Sequence, residues 1–212
     1  MVIDAMPTVT DQAICIRQWD FSETSQTVSL FGRSIGLFRA LAKGSRRPKS
    51  RFSGGIDLLT MGDLVTIIKP GRDLCTLTEW GLSRVWWRIR QDVHANRIAY
   101  FISDCASRML DQHDPHPGVF DAMVYSLDEI EQGVEQEFIL TRFLWMLLVD
   151  VGYKPRLMEC LSISKNRMQF SSARLKVGLS RVFQVMGAGG FGARQSEYFR
   201  WLKRVLIFTA PI

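Results

Sequence analysis

The 212 residues predict an α+β chain of more than one domain, an N-terminal β-barrel followed by a mostly helical domain. Three observations predict it. The first 80 residues hold short alternating runs separated by glycine- and proline-containing turns, the pattern of strands. After Trp80 the apolar residues recur at three and four, the pattern of helices. Charge divides along the chain as well. Residues 1–56 carry 8 basic and 4 acidic groups, a net of +4; residues 57–153 carry 8 and 15, a net of −7; residues 154–212 carry 11 and 2, a net of +9. Two basic ends around an acidic middle fit separate modules better than uniform solubilising charge, and the modules are expected at 1–80 and 81–212.

Asp11 to Arg17 reads as a half-buried strand, and Thr27 to Phe31 alternates almost strictly. Arg33 to Gly36 is the following turn, and Leu37 to Lys43 is the return strand, stopped by Gly44. Gly54-Gly55 opens a run Ile56 to Thr60, Leu64 to Ile68 stops at Pro70-Gly71, and Leu74 to Thr78 closes the set. About five strands with turns between them fit a small barrel or sandwich, and the count suits an OB-fold.

Leu82, Val85, Trp86, Ile89 and Val93 then mark a helical stripe, continued by Ile98, Phe101, Ile102, Cys105 and Met109 after a break near Ala95-Asn96. His113 to Gly118 is a loop. Val119, Phe120, Met123, Leu127 and Ile130 mark a second helix ending at Gly133. Gln136 to Val151 is apolar nearly all round, as expected of a central helix covered by its neighbours, and Gly152 to Pro155 ends it. Ser162 to Arg181 is basic without a clean period, Gly187 to Gly192 is a glycine-rich hinge, and Tyr198 to Leu206 is a last amphipathic helix.

The composition excludes several classes. With 47% apolar and 23% charged residues the chain can bury a core. Its longest wholly apolar run, Phe143 to Val149, falls far short of the roughly 20 residues of a membrane span, so no membrane partner is expected. The start, Met1 to Met6, lacks the features of a secretory leader. Cys15, Cys75, Cys105 and Cys160 are far apart with no CxxC spacing, which fits reduced thiols and a cytoplasmic location.

The densest chemical signal is basic. Arg33, Arg39, Lys43, Arg46, Arg47, Lys49 and Arg51 follow one another with no acid between Glu23 and Asp57, a window of +7. Arg39 and Lys43 share parity on one strand and so one face. The run Lys43 to Arg51 is a loop able to bend around a phosphate backbone, and aromatics nearby (Phe31, Phe38, Phe52) would suit a sequence-tolerant single-strand binder. The plainer reading is a solvated loop that protects a strand edge. Lys154, Arg156, Lys165, Arg167, Arg174, Lys176 and Arg181 either extend a track or only solubilise.

Catalytic and metal signals are weak. His113 and His116 sit among prolines with no further ligand nearby. Asp128, Glu129, Glu131, Glu135 and Glu137 read as a solvated face, and the glycine-rich stretch lacks the Gly-Lys-Ser/Thr ending of a phosphate loop. No nucleophile–base pair can be proposed; neither an enzyme nor a cofactor is expected.

Trp19 to Thr24, then Thr27 to Phe31, then Gly36-Leu-Phe-Arg-Ala-Leu-Ala-Lys-Gly-Ser-Arg-Arg47 closely resemble the bacterial DNA repair protein RecO family. Val151-Gly-Tyr-Lys-Pro-Arg-Leu157 with Cys160 resembles its central part, and the likeness covers roughly residues 10–160. The resemblance implies an N-terminal OB-fold and a helical domain, sequence-tolerant binding of single- and double-stranded DNA, and strand annealing. It implies action with RecR, and in some bacteria RecF, to help RecA replace the single-strand binding protein SSB. It also implies docking of the acidic, apolar SSB C-terminal tail on the helical domain, and a nucleoid-associated place in the cytoplasm. The basic run Arg33 to Arg51 falls on the family's DNA-binding face.

One departure stands out. Many family members carry a four-cysteine zinc element beginning at the position of Cys160; here Ile163 stands three residues on and no cysteine follows. A zinc site is therefore not expected. After about residue 172 the pattern is lost, which fits a rebuilt end, a truncated one or a shifted reading frame. Two rival functions remain: an interaction module whose basic loop only solubilises, and an OB-fold protein that binds RNA.

Overall fold

The computed structural model describes residues 8–52, 54–69 and 71–152. Five strands form: β1 (Thr8–Ser22), β2 (Ser25–Gly32), β3 (Gly36–Ala42), β4 (Thr60–Ile67) and β5 (Leu74–Val85). They close in the order β1-β2-β3-β5-β4, with β4 returning to β1. All neighbours are antiparallel except β3 and β5, which run parallel. This is the five-stranded OB barrel the strand count anticipates. Period-two alternation fills its interior with Cys15, Val28, Leu30, Phe38, Ala40, Leu64, Leu77 and Trp80. Alanines at 13, 40 and 42 belong to the same core. Gly62 leaves room for the Trp80 ring, since a Cβ there would stand 2.6 Å from it.

The run Ile56 to Thr60 is not a strand: β4 begins only at Thr60. Ile56 is buried, but one side chain satisfies its backbone. Gln26 donates from Nε2 to the Ile56 carbonyl at 3.2 Å and accepts the Ile56 N–H on Oε1 at 3.1 Å. With both peptide groups paired, no ladder is needed. Phe52 and Ile56 thereby enter the barrel core from the β3–β4 connection.

β5 also exceeds its expected end. Leu82 pairs with Gly62 and Val85 with Thr60, so both belong to the sheet rather than to a helical stripe. Helices follow as α1 (Trp87–Gln91), α2 (Val93–Met109), α3 (Pro117–Gln132) and α4 (Gln136–Asp150). The break between the first two falls at Asp92, not at Ala95-Asn96. The Asp92 carboxylate accepts the N–H groups of His94 and Ala95 at the start of α2, which holds its own pKa below the ordinary value. Pro117 opens α3, and Gly133, at φ +79°, closes it.

The chain divides into two compact units, residues 1–147 and 148–212. In the first, helices are clamped to the barrel. Phe31 meets Phe120 of α3 edge to face at 5.6 Å. Arg84 and the Trp86 indole N–H both donate to Asp128. His113 donates its N–H to the Leu37 carbonyl at 2.8 Å. Of the second unit only residues 148–152, the end of α4 and the turn after it, are described. Along α4, Ile139, Leu140, Phe143 and Leu144 are buried, but Phe138 and Met146 are exposed, so the helix is not covered all round as its composition predicts.

Candidate nucleic-acid interface

Register places two rows of side chains across the outer face of the barrel. Arg17 pairs with Ser29, Ser29 with Arg39, and Arg39 with Leu74. One step along, Trp19 pairs with Thr27, Thr27 with Leu41, and Leu41 with Thr76. Alternation turns these positions outward while Val28, Leu30, Ala40 and Ala42 turn in. Arg39 is exposed on this face, whereas Lys43, expected on the same strand, is exposed in the turn that follows β3.

The seven cations of the basic window have different surroundings. Arg33 is paired with Asp121, Arg46 with Asp20, and Arg51 with Glu79. The Arg39 guanidinium lies 5.7 Å from the centre of the Trp19 ring. Lys43, Arg47 and Lys49 are exposed and form no ion pair with an acid among the described residues.

The loop that carries four of them is ordered from beneath. Ser45 donates to Gln26 Oε1 at 3.0 Å, Gly44 N–H to Ser25 Oγ at 3.1 Å, and Arg46 N–H to the Thr24 carbonyl at 3.1 Å. Ser50 donates to the Ser45 carbonyl at 2.8 Å, and Trp80 N–H to the Arg51 carbonyl at 2.9 Å. Gln26 and Ser45 are buried, so the loop's side chains project from a fixed base.

Phe31, Phe38 and Phe52 are not stacking platforms. Each is almost fully buried in the barrel or against α3, out of reach of any base. Among the described residues of the barrel strands, the exposed aromatics are Trp19 (44%) and Phe21 (64%), at the end of the β1–β2 hairpin. The alternation Arg17-x-Trp19-x-Phe21, continuing β1 beyond its apolar stretch, is the signal that could have found them.

Of the acidic group, Asp128, Glu129 and Glu131 are not a solvated face, while Glu135 is exposed as expected. Asp128 holds Arg84 and Trp86, Glu131 accepts the Arg88 N–H at 2.8 Å, and buried Glu129 pairs with Arg142 of α4. The Arg142 guanidinium holds the Glu129 carboxyl below its ordinary range. His116 faces Asp114 in the loop before α3, and no group of three or more metal-ligating side chains occurs among the described residues. The sequence after Cys160 lacks the thiols of a four-cysteine zinc element, and Cys160 lies outside the described residues. So do the cations Lys154 to Arg181, the glycine-rich stretch and the expected helix at Tyr198 to Leu206.

Two family models match the chain: "Recombination protein O N terminal" over residues 6–86 and "Recombination protein O C terminal" over residues 90–191. A protein of Rhodopirellula baltica named DNA repair protein RecO is 34% identical over 148 residues, 70% of this chain and 55% of that protein. Proteins of the same name from Dehalococcoides mccartyi and Bacillus cereus are 27% and 28% identical, over 73% and 70% of this chain and 60% and 59% of theirs. The chain thus matches somewhat more than half the length of these relatives.

Proposed function

The chain belongs to the recombination protein O family, and from that premise we propose that it acts in DNA repair and recombination as a non-enzymatic, sequence-tolerant DNA binder. One observation carries the reading: the outer barrel face joins exposed Trp19 to Arg39, and the turn and loop that follow β3 carry Lys43, Arg46, Arg47, Lys49 and Arg51 on a buried base. Cations take phosphates and displace counterions, while exposed rings stack on bases of any sequence. Arg33 completes the set at the hairpin turn. Lys43, Arg47 and Lys49 are the most available, since Arg33, Arg46 and Arg51 must exchange a carboxylate for a phosphate.

Screening two strands at once lowers their mutual repulsion and so speeds annealing. In this proposal residues 1–80 hold DNA and residues 81–212 dock partners: RecR, and through the SSB tail the filament on which RecA is loaded. The membrane has no part in it; no helix among the described residues is long and apolar enough to cross one. The place of work is the nucleoid in the cytoplasm.

One observation favours a second activity of the helical part. On α3 and α4, the Arg142 guanidinium lies 4.3 Å from the ring centre of exposed Tyr125 and 5.7 Å from that of exposed Phe138. A cation between two rings suits an acidic, apolar peptide such as the SSB tail. Titrating the protein with labelled single-stranded DNA, duplex DNA, RNA and an SSB-tail peptide separates the readings. Binding of both DNA forms with accelerated annealing is expected. Peptide binding without DNA affinity would replace it with the interaction module, and RNA preference with the RNA binder.

A further inference from the structure

Between β1 and α2 lies an open groove of about 320 Å³, lined by Arg17, Trp19, Leu58, Tyr100, Ser103 and Asp104 among others. Ser103 is only 4% exposed, and its hydroxyl finds no hydrogen-bond partner. Ser126, equally buried on α3, shows the ordinary solution: it donates to the Ala122 carbonyl one turn back, at 2.7 Å. Buried hydroxyls are seldom left unpaired, and an exception calls for a cause. The groove supplies one.

We propose that this groove is a nucleobase pocket, taking one base from a strand that lies over the barrel face. The inference rests on the nucleic-acid reading above and extends the track from the barrel onto α2. Trp19 belongs to both places, with Arg39 on the barrel side and the groove on the other. Trp19 and Tyr100, each 44% exposed, supply aromatic rim for a flat ring. A turn of either exposed ring opens the way to the Ser103 hydroxyl. That hydroxyl both donates and accepts, so it can pair with the edge of any base and imposes no sequence.

The one acid of the groove does not stand against a nucleic-acid strand as a free charge. Asp104, the acid in the groove, is held by Arg17 at 2.9 Å and by Arg108 at 2.8 Å, so its charge is countered and β1 is tied to α2. The volume lies at the lower end of small-molecule sites, enough for one base and its sugar and too small for a folded peptide segment.

The test compares the full chain with Ser103→Ala and Tyr100→Ala on two labelled strands of about 16 nucleotides, the upper site size of one such barrel. One strand is oligothymidylate and the other is its abasic counterpart. Both variants should lose about fivefold or more in affinity for oligothymidylate, keep the wild-type affinity for the abasic strand, and keep the wild-type salt dependence. Ser103→Ala should be at least as thermally stable as the wild type, because it removes an unpaired hydroxyl. Wild-type affinity of Ser103→Ala for oligothymidylate, an equal loss on both strands, or a lowered melting temperature would overturn the pocket and leave the DNA-binding reading intact. A wild-type protein that binds neither strand would overturn both.

Discussion

Arg33 donates two hydrogen bonds of 2.9 Å to the carboxylate of Asp121, joining the turn of the β2–β3 hairpin to α3. The pairing raises the arginine's affinity for its proton and holds the Asp121 carboxyl below its ordinary range. A cation that the sequence places in the basic window is thus shared with the helices. Both partners are about half exposed, so the pair is a modest contribution to stability and open to exchange.

Arg33→Ala is therefore expected to change oligonucleotide affinity less than Lys43→Ala does. Parallel titrations at one low ionic strength check this. A larger effect of Arg33 than of Lys43 would mean that the carboxylate yields fully to phosphate.

The aromatics divide by burial. Trp19→Ala and Phe21→Ala should fold normally and lose about 1–3 kcal/mol of single-strand affinity each, the usual worth of a stacked base. Phe38→Ala should instead cost about 3–5 kcal/mol of folding stability, as the loss of a buried ring does. Denaturant melts beside binding titrations tell the two apart.

Gln26→Ala removes the support of the basic loop. Its amide serves Ser45 and both backbone groups of Ile56, all buried. The expected loss is about 2–3 kcal/mol of stability, and faster hydrogen exchange in residues 44–56 should accompany it.

The Glu129–Arg142 pair gives a pH signature. Because the folded state lowers the Glu129 pKa, the pair's stabilisation is present above the carboxyl's ordinary value of 4.5 and is lost as pH falls through the depressed folded value. Glu129→Gln should cost about 1–2 kcal/mol near neutral pH and nothing once the wild-type carboxyl is protonated. Melting temperatures of the two proteins across that range should converge on acidification.

Much of this was legible before any coordinates. Period two and glycine turns marked a run on each of the five strands, with one false run at 56–60. What failed depended on contacts distant in sequence. Ile56 resembles a strand because it is apolar after two glycines, but Gln26, 30 residues earlier, satisfies its peptide groups in a loop. Leu82 and Val85 have helical spacing, yet their partners are Gly62 and Thr60 on β4. Phe31 and Phe38 lie near the cations in sequence but turn inward, while Trp19 reaches Arg39 only through the register of β1, β2 and β3. The acids from Asp128 to Glu131 look solvated because Arg84, Arg88 and Arg142 approach from other elements.

The most direct test of the central claim is the salt dependence of single-strand binding by the wild type and by a Lys43→Ala, Arg47→Ala, Lys49→Ala triple variant. The wild type should show a steep fall of log affinity with log salt concentration. The variant's slope should be shallower by about 2, since each lost phosphate contact on a single strand removes roughly 0.7. Identical slopes, or wild-type binding that ignores salt, would contradict the account.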